Sequence, residues 1–323
     1  MKNKFQQGDG LTPRLLFLLS ARLEETIQTV FSLKKGKWLV ITNRNKWFVK
    51  KYASLSQLEK QIQLCHFLSD QGFTQVILFH SVTPIIFEKQ IFAVMPFIEP
   101  AKKTFYFQTE EEREEALALL SVFHQQTEKL PGKITACFPH FDQAAVWRKR
   151  LTAFQRELPE LIRYFPASVL EHYAEAGKWC LDHLSDQPKD EGKLAVIHGD
   201  VASHNFFRSA DGTLYLIDFD LAAQAPVLFD YVQWTNRVLP LVDWNLEKVM
   251  EYRVITPYTH KKNWFIYTLF PADVFRECRR FARAPLKEKK SAYKHAYELT
   301  VKPFTQRKIF FKRWKKVWED QQG

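Results

Sequence analysis

The first hundred residues switch between two hydrophobic periods. Residues 11–25 place Leu15, Leu16, Leu18, Leu19 and Leu23 on a helical repeat, with Thr12 as N-cap and Pro13 in the first turn. Three runs rich in β-branched and aromatic residues follow at 26–33, 38–42 and 46–52. Short polar turns separate them, one at 34–37 containing Gly36 and one at 43–45, which predicts an antiparallel meander. The helical period returns over 54–70 through Leu55, Leu58, Ile62, Phe67 and Leu68, and Gly72 stops it. Two further strands are predicted at 76–82 and 90–96.

Beyond Pro100 the pattern is mainly helical. A helix is expected over 110–128 with Leu117, Leu120 and Phe123 on one side, then long helical segments over about 142–163 and 167–186. An irregular stretch at 187–220 interrupts them with two apolar runs, 194–197 and 214–218, and helix resumes from 225. No repeat, low-complexity tract or flexible linker is visible. The expectation is an α+β chain, with a mixed N-terminal part over 1–97 and a mainly helical part over 98–323.

Composition narrows the class. The chain has 323 residues, 46% hydrophobic and 26% charged with 10 glycines, which excludes disordered and fibrous proteins and is ample for a large core. The apolar run from Leu15 to Leu19 falls far short of the roughly 20 residues a membrane span needs, and no small-x-small cleavage site follows it. No membrane span or signal peptide is expected. Cys65, Cys137, Cys180 and Cys278 are scattered without a Cys-x-x-Cys pair, so they read as reduced, mostly buried thiols of a cytoplasmic protein.

Charge is uneven. The net charge is +11, and residues 276–316 hold 15 Lys or Arg against three Glu. A surface of this kind serves nucleic acid, anionic lipid or an acidic protein, but a solvated basic helical face is the simpler account. Nucleic-acid binding rests on this region alone and ranks last.

The segment 194–230 carries the chemistry. Asp200 and Asn205 bound a short loop after the first apolar run, and Asp218 ends the second. If the two runs pair as a hairpin, Asp218 returns beside that loop. Phosphoryl transfer requires such a set, because the protein mainly positions groups and neutralises phosphate charge. Asp218 can bridge a hard cation such as Mg²⁺ to phosphate oxygens, Asn205 can hold a second ion, and Asp200 can accept a hydroxyl proton. Protein kinases use the same logic in H-R-D-x-x-x-x-N followed by D-F-G; here the strings are His198-Gly199-Asp200-x-x-x-x-Asn205 and Ile217-Asp218-Phe219-Asp220. His198 reads as a structural residue of the loop, His124 as a satisfied helix histidine and Asp220 as a loop residue. His204 is evenly divided between substrate contact and solvent.

These strings resemble the aminoglycoside-phosphotransferase and choline-kinase superfamily, and most closely its bacterial spore-coat-associated, kinase-like branch. The resemblance covers about 11–260 and is most specific at 197–230. It implies a bilobal protein-kinase-like fold, with a nucleotide-binding lobe over 1–97 and a catalytic and substrate lobe over 98–323. It implies ATP and Mg²⁺ as cofactors, Asp200 as catalytic base, Asn205 and Asp218 as metal ligands, and Asp230 as a brace of the catalytic loop. Lys50 is expected to meet the ATP phosphates, with Glu59 orienting it. Lys51 is the rival, since one residue of register exchanges strand faces. The hinge at 95–98 would meet adenine through Met95 and Phe97. There is no G-x-G-x-x-G, and the turn at 34–37 would cover the phosphates instead.

The resulting expectation is an ATP- and Mg-dependent small-molecule kinase acting on a hydroxyl. The alternative is a weak or inactive kinase-like protein in a spore coat, with the basic C-terminal helices contacting coat proteins. Polycationic antibiotics need acidic pockets and this chain is basic, so an aminoglycoside acceptor is not expected. Trp234, Trp244, Tyr252 and Tyr258 could box a cation, but they read as core.

Overall fold

A computed structural model describes residues 11–184 and 192–321. The end of the helix expected over 167–186 lies outside these residues.

The chain divides into two compact units. The first takes the chain up to Pro139 and again His198–Gln224; the second takes His140–Ile197 and everything from Ala225.

In the first unit, α1 (Pro13–Leu23) opens on the Thr12 hydroxyl, which accepts from Leu15 N–H at 3.3 Å. Strands β1 (Ile27–Lys34), β2 (Lys37–Thr42) and β3 (Lys46–Tyr52) form the expected meander. Helix α2 (Leu55–Asp70) follows, capped by Ser54, and β4 (Ile85–Phe87) and β5 (Gln90–Pro96) complete an antiparallel sheet of order β1-β2-β3-β5-β4. Strand parity assigns each face. Trp47, Val49, Phe92 and Val94 pack with the leucines of α1, whereas Tyr52, Ala93 and Met95 pack with Leu58 of α2. Lys50 shares the α2-facing parity.

The strand expected over 76–82 does not form. On its outer side β5 pairs with β4, joined to it by a two-residue turn at Glu88 and Lys89, both at positive φ. That turn type is usually signalled by Asn-Gly, and neither residue is present. The 76–82 stretch touches the sheet through His80 N–H to Val94 O at 2.8 Å.

The first unit also contains α3 (Glu110–Thr127), capped by Thr109, the short α4 (Gly132–Thr135), and the hairpin of β7 (Phe206–Arg208) and β8 (Leu214–Leu216). Strand β6 (Leu194–Ile197) leads into this last segment and β9 (Ala223–Pro226) leads out of it. The second unit is helical: α5 (Gln143–Leu161), α6 (Ala167–His183), α7 (Leu228–Val238), α8 (Leu246–Met250), α9 (Lys262–Leu269), α10 (Ala272–Ala282), α11 (Leu286–Thr300) and α12 (Phe304–Asp320). Trp234 is fully buried there and packs edge-on against Tyr252, as a core reading requires, whereas Trp244, Tyr252 and Tyr258 are half-buried and the Arg307 guanidinium lies 4.6 Å from the Trp244 ring centre. Among the described residues no helix is long and apolar enough to cross a membrane. Cys65, Cys180 and Cys278 are buried and Cys137 is exposed.

One buried carboxylate ties the start of the sheet together. Glu25 accepts from Thr42 Oγ1 at 2.5 Å, Asn45 Nδ2 at 2.5 Å and Trp47 Nε1 at 2.8 Å. Burial opposes its ionisation, but these three donors and the Arg44 charge override that and hold the carboxyl below its ordinary range. Its stabilising contribution is therefore present above the ordinary carboxylate pKa and lost as pH falls through the lowered folded value. Glu25→Gln should cost about 2 kcal/mol in urea denaturation at pH 7. The gap between variant and wild type should narrow below about pH 4.

Candidate active site

The site is built around Asp218, at the turn that follows β8. Asp218 takes a left-handed conformation (φ 68°, ψ 62°), uncommon outside Gly and tolerated best by Asn and Asp. Phe219 holds the turn in place: it is buried, stacks on Phe123 at 5.6 Å and lies 5.1 Å from the ring of His198.

Two lysines engage its carboxylate. Lys50 Nζ donates to Oδ1 at 2.8 Å and Lys37 Nζ to Oδ2 at 3.1 Å. They are direct cross-strand partners in the β2–β3 ladder, so both reach the same side. Burial opposes ionisation of Asp218, and the two ammoniums overcome it and hold the carboxyl far below the usual range. Lys50 is 7% exposed while its neighbour Lys51 is exposed, so strand parity selects Lys50.

Lys50 bridges a second carboxylate. Asp220 lies 2.9 and 3.0 Å from its Nζ, and Gln61 Nε2 donates to Asp220 Oδ1 at 2.8 Å. The Tyr52 hydroxyl donates to Gln61 Oε1 at 3.3 Å, and Lys50 Nζ also lies 4.7 Å from the Tyr52 ring centre. Burial, reinforced by Asp220, raises the Tyr52 pKa, so the phenol remains a donor. Asp220 thus belongs to the site and is more than a loop residue.

Glu59 is not brought to Lys50. The inward face of α2 is set by Leu58, Gln61, Leu64, Cys65 and Leu68, and Glu59 lies off that face, exposed. The helix contributes Gln61 instead.

The loop bearing Asp200 belongs to the same unit. His198 Nε2 donates to Ile217 O at 2.9 Å and its Nδ1 accepts from Asp200 N–H at 3.3 Å, which fixes the neutral tautomer in a structural role. Asn205 Nδ2 donates to the Asp200 carbonyl at 2.9 Å and lies 3.3 Å from Asp200 Oδ2. The hairpin closes the arrangement, since Ile217 N–H donates to Asn205 O at 3.0 Å and sets Asp218 one residue beyond. Gly199 has φ +80°, and a Cβ there would lie 2.2 Å from Leu221 O. Asp200 is half-buried, His204 exposed and His124 buried. Met95 is buried in the α2-side core, and Phe97 N–H donates to Lys46 O at 3.0 Å. Asp230 is fully buried in the first turn of α7.

Lys37, Gln61 and Asp220 are the contributors that sequence reasoning did not place. The signal for Lys37 was its register opposite Lys50 through the short turn at 43–45 that joins β2 to β3; the signal for Gln61 was its phase with Leu58.

The donor set suits a hard cation, because Asp218 and Asp220 offer carboxylate oxygens and Asn205, its Nδ2 spent on Asp200, retains Oδ1. Among the described residues no cluster of three or more His, Cys, Asp or Glu is placed to hold a metal by itself. Mg²⁺ does not require one, being held commonly by one or two carboxylates together with phosphate oxygens and water.

Gly199→Ala should destabilise the protein by at least about 1–2 kcal/mol through the positive φ alone. The clash with Leu221 adds to this, so loss of the cooperative denaturation transition, or of expression, is the expected extreme.

Comparison with known proteins bears on the fold and the family. No curated protein matches the chain in sequence. Among solved structures, an aminoglycoside phosphotransferase from Alicyclobacillus acidocaldarius superposes with a TM-score of 0.67 at 15% identity, covering 98% of this chain and 99% of that one. Spectinomycin phosphotransferase APH(9)-Ia, solved with ADP and spectinomycin, gives a TM-score of 0.67 at 14% identity and covers 92% and 97%. Amicoumacin kinase hAmiN, solved with AMP-PNP, Ca²⁺ and Ami, gives 0.56 at 15% identity over 90% and 94%. These likenesses establish the kinase-like α+β fold. Residues 35–243, more than half of the chain, match the phosphotransferase enzyme family, and the chain belongs to that family.

Proposed function

We propose that this phosphotransferase is an ATP- and Mg²⁺-dependent kinase that phosphorylates a hydroxyl of a small metabolite, with Asp200 as the base. The observation that carries the reading is the Lys50 ammonium bridging Asp218 and Asp220 on the hairpin that also bears Asp200 and Asn205. Lys50 and Lys37 are two cations on adjacent strands, placed to neutralise phosphate oxygens. In this reading adenine lies against the strand end at Met95 and Phe97, although the Phe97 N–H is already given to Lys46 O, and residues 1–97 form the nucleotide-binding lobe, with 98–323 supplying catalysis and the acceptor site.

Asn205 and Asp218 would hold Mg²⁺, which, when bound, offsets the charge that develops on the transferring phosphate. Asp200 is positioned through its backbone, with His198 holding its N–H and Asn205 its carbonyl, and its carboxylate, which Asn205 Nδ2 also approaches at 3.3 Å, would accept the proton of the attacking hydroxyl. The resemblances favour a small-molecule acceptor. The excess of positive charge favours one that is anionic or neutral over a polycation.

Asp200→Asn should lower turnover by about 10²–10⁴-fold in an ATP-consumption assay across an acceptor panel, with ATP affinity retained. Full activity in this variant would overturn the assignment. ATP binding with no transfer to any acceptor by the wild type would favour the kinase-like structural alternative, in the spore coat or elsewhere.

Lys50→Ala should weaken ATP binding at least tenfold, whereas Lys51→Ala should leave it near wild type, because of these two neighbours Lys50 alone faces the carboxylates. The comparison is made by isothermal titration.

A further inference from the structure

The second unit holds a cavity of about 550 Å³ whose lining includes none of the site residues described above, within the usual volume range of small-molecule sites. Arg150, Arg276, Arg279, Arg280 and Arg283 line it, against the one carboxylate of Glu288. Four of the five arise from one helical stripe. Positions 276, 279, 280 and 283 follow the i, i+3, i+4, i+7 spacing along α10 and its C-cap, so their side chains share a face. Arg150 comes from α5, which packs against α10. The apolar floor includes the buried Phe275 and Ala292.

This is more than a basic helix end. Cations near a helix C-terminus are favourable, which accounts for some of the arginines, but 276/280 and 279/283 are like-charge i, i+4 pairs that work against the helix. Carboxylates compensate three of the five. Glu277 accepts from Arg276 Nε at 3.0 Å and lies 3.4 Å from Arg280 Nη1, and Glu157 accepts from Arg283 Nε at 3.0 Å. Arg150 and Arg279 make no ion pair or hydrogen bond among the described residues, and Arg279 Nε is buried without a partner. Burial and the neighbouring Arg276 depress the Arg150 pKa, a sign of positive charge held in a partly desolvated place.

We propose that this cavity binds a small molecule bearing two or more linked phosphate groups. Guanidinium forks match phosphate oxygens bidentately, and five of them converge. Five guanidiniums less Glu157, Glu277 and Glu288 leave two positive charges: a monocarboxylate offsets one and a phosphate, at about −1.5 to −2, matches them, so it is the spread of the guanidinium forks over the cavity that calls for linked phosphates. The proposal stands apart from the nucleotide site, whose lysines and aspartates lie in the other unit.

The test uses the full chain and inorganic tripolyphosphate, pyrophosphate and phosphate as probes, by isothermal titration at 0.15 M salt without Mg²⁺. Tripolyphosphate should bind more tightly than pyrophosphate, and phosphate least. Arg150→Gln with Arg279→Gln should weaken tripolyphosphate at least tenfold, while Lys37→Ala with Lys50→Ala should leave a binding event of wild-type affinity. Ser291→Asp, at an exposed position on the cavity wall, should weaken it as well, which covers the case in which the arginine variant fails to fold. Unchanged affinity in Ser291→Asp and in a folded arginine variant would overturn the proposal, as would loss of all binding in the lysine variant alone. A single-stranded oligonucleotide binding at this face without competition from tripolyphosphate would also overturn it, in favour of a nucleic-acid surface.

Discussion

The first unit is organised around the double ion pair on Asp218. A carboxylate drawn out of water must be matched by charge, and here two ammoniums from adjacent strands take one oxygen each. That match requires several things at once. The β2–β3 ladder must keep Lys37 opposite Lys50. Phe219 must fill its place against Phe123 so that Asp218 can hold a left-handed turn. Gly199 must let the Leu221 carbonyl approach, and His198 must pin Ile217. The same contacts that stabilise the turn also fix Asp200 and Asn205, so local stability and candidate chemistry share one set of residues.

Charge is handled differently in the two units. Around Asp218 two lysines face two aspartates, with Gln61 and Tyr52 completing the hydrogen bonds, so the group is near balance. A phosphate arriving there would exchange one anionic partner of the lysines for another. The α10 face of the second unit is less balanced, with Arg150 and Arg279 lacking an ion-pair partner within reach among the described residues. The +11 net charge of the chain hides this contrast, because it reports excess without location.

Much of the fold was legible because the hydrophobic period changed cleanly from one element to the next. The leucines of α1, the three-strand meander and the spacing of Asp200, Asn205 and Asp218 are local patterns, and local patterns survive in sequence. What was hidden depended on phase and register. Lys50 and Lys51 differ only in strand parity, which became readable once Trp47 and Val49 were seen packed on the α1 side. Glu59 was expected beside Lys50 by resemblance, yet the phase of α2 turns Gln61 inward and leaves Glu59 outside. Lys37 joins the site through a cross-strand partner 13 positions away, and a hairpin at Glu88 and Lys89 displaced an expected strand because neither residue announces a positive φ.

The central claim is that Asp218, held by its two lysines, is the anchor of a Mg-dependent nucleotide site. The direct measurement is isothermal titration of ATP into wild type and Asp218→Ala, each with and without Mg²⁺. The account predicts that Mg²⁺ tightens ATP binding to the wild type and that this gain disappears in Asp218→Ala. A variant that binds Mg-ATP as tightly as the wild type would contradict it.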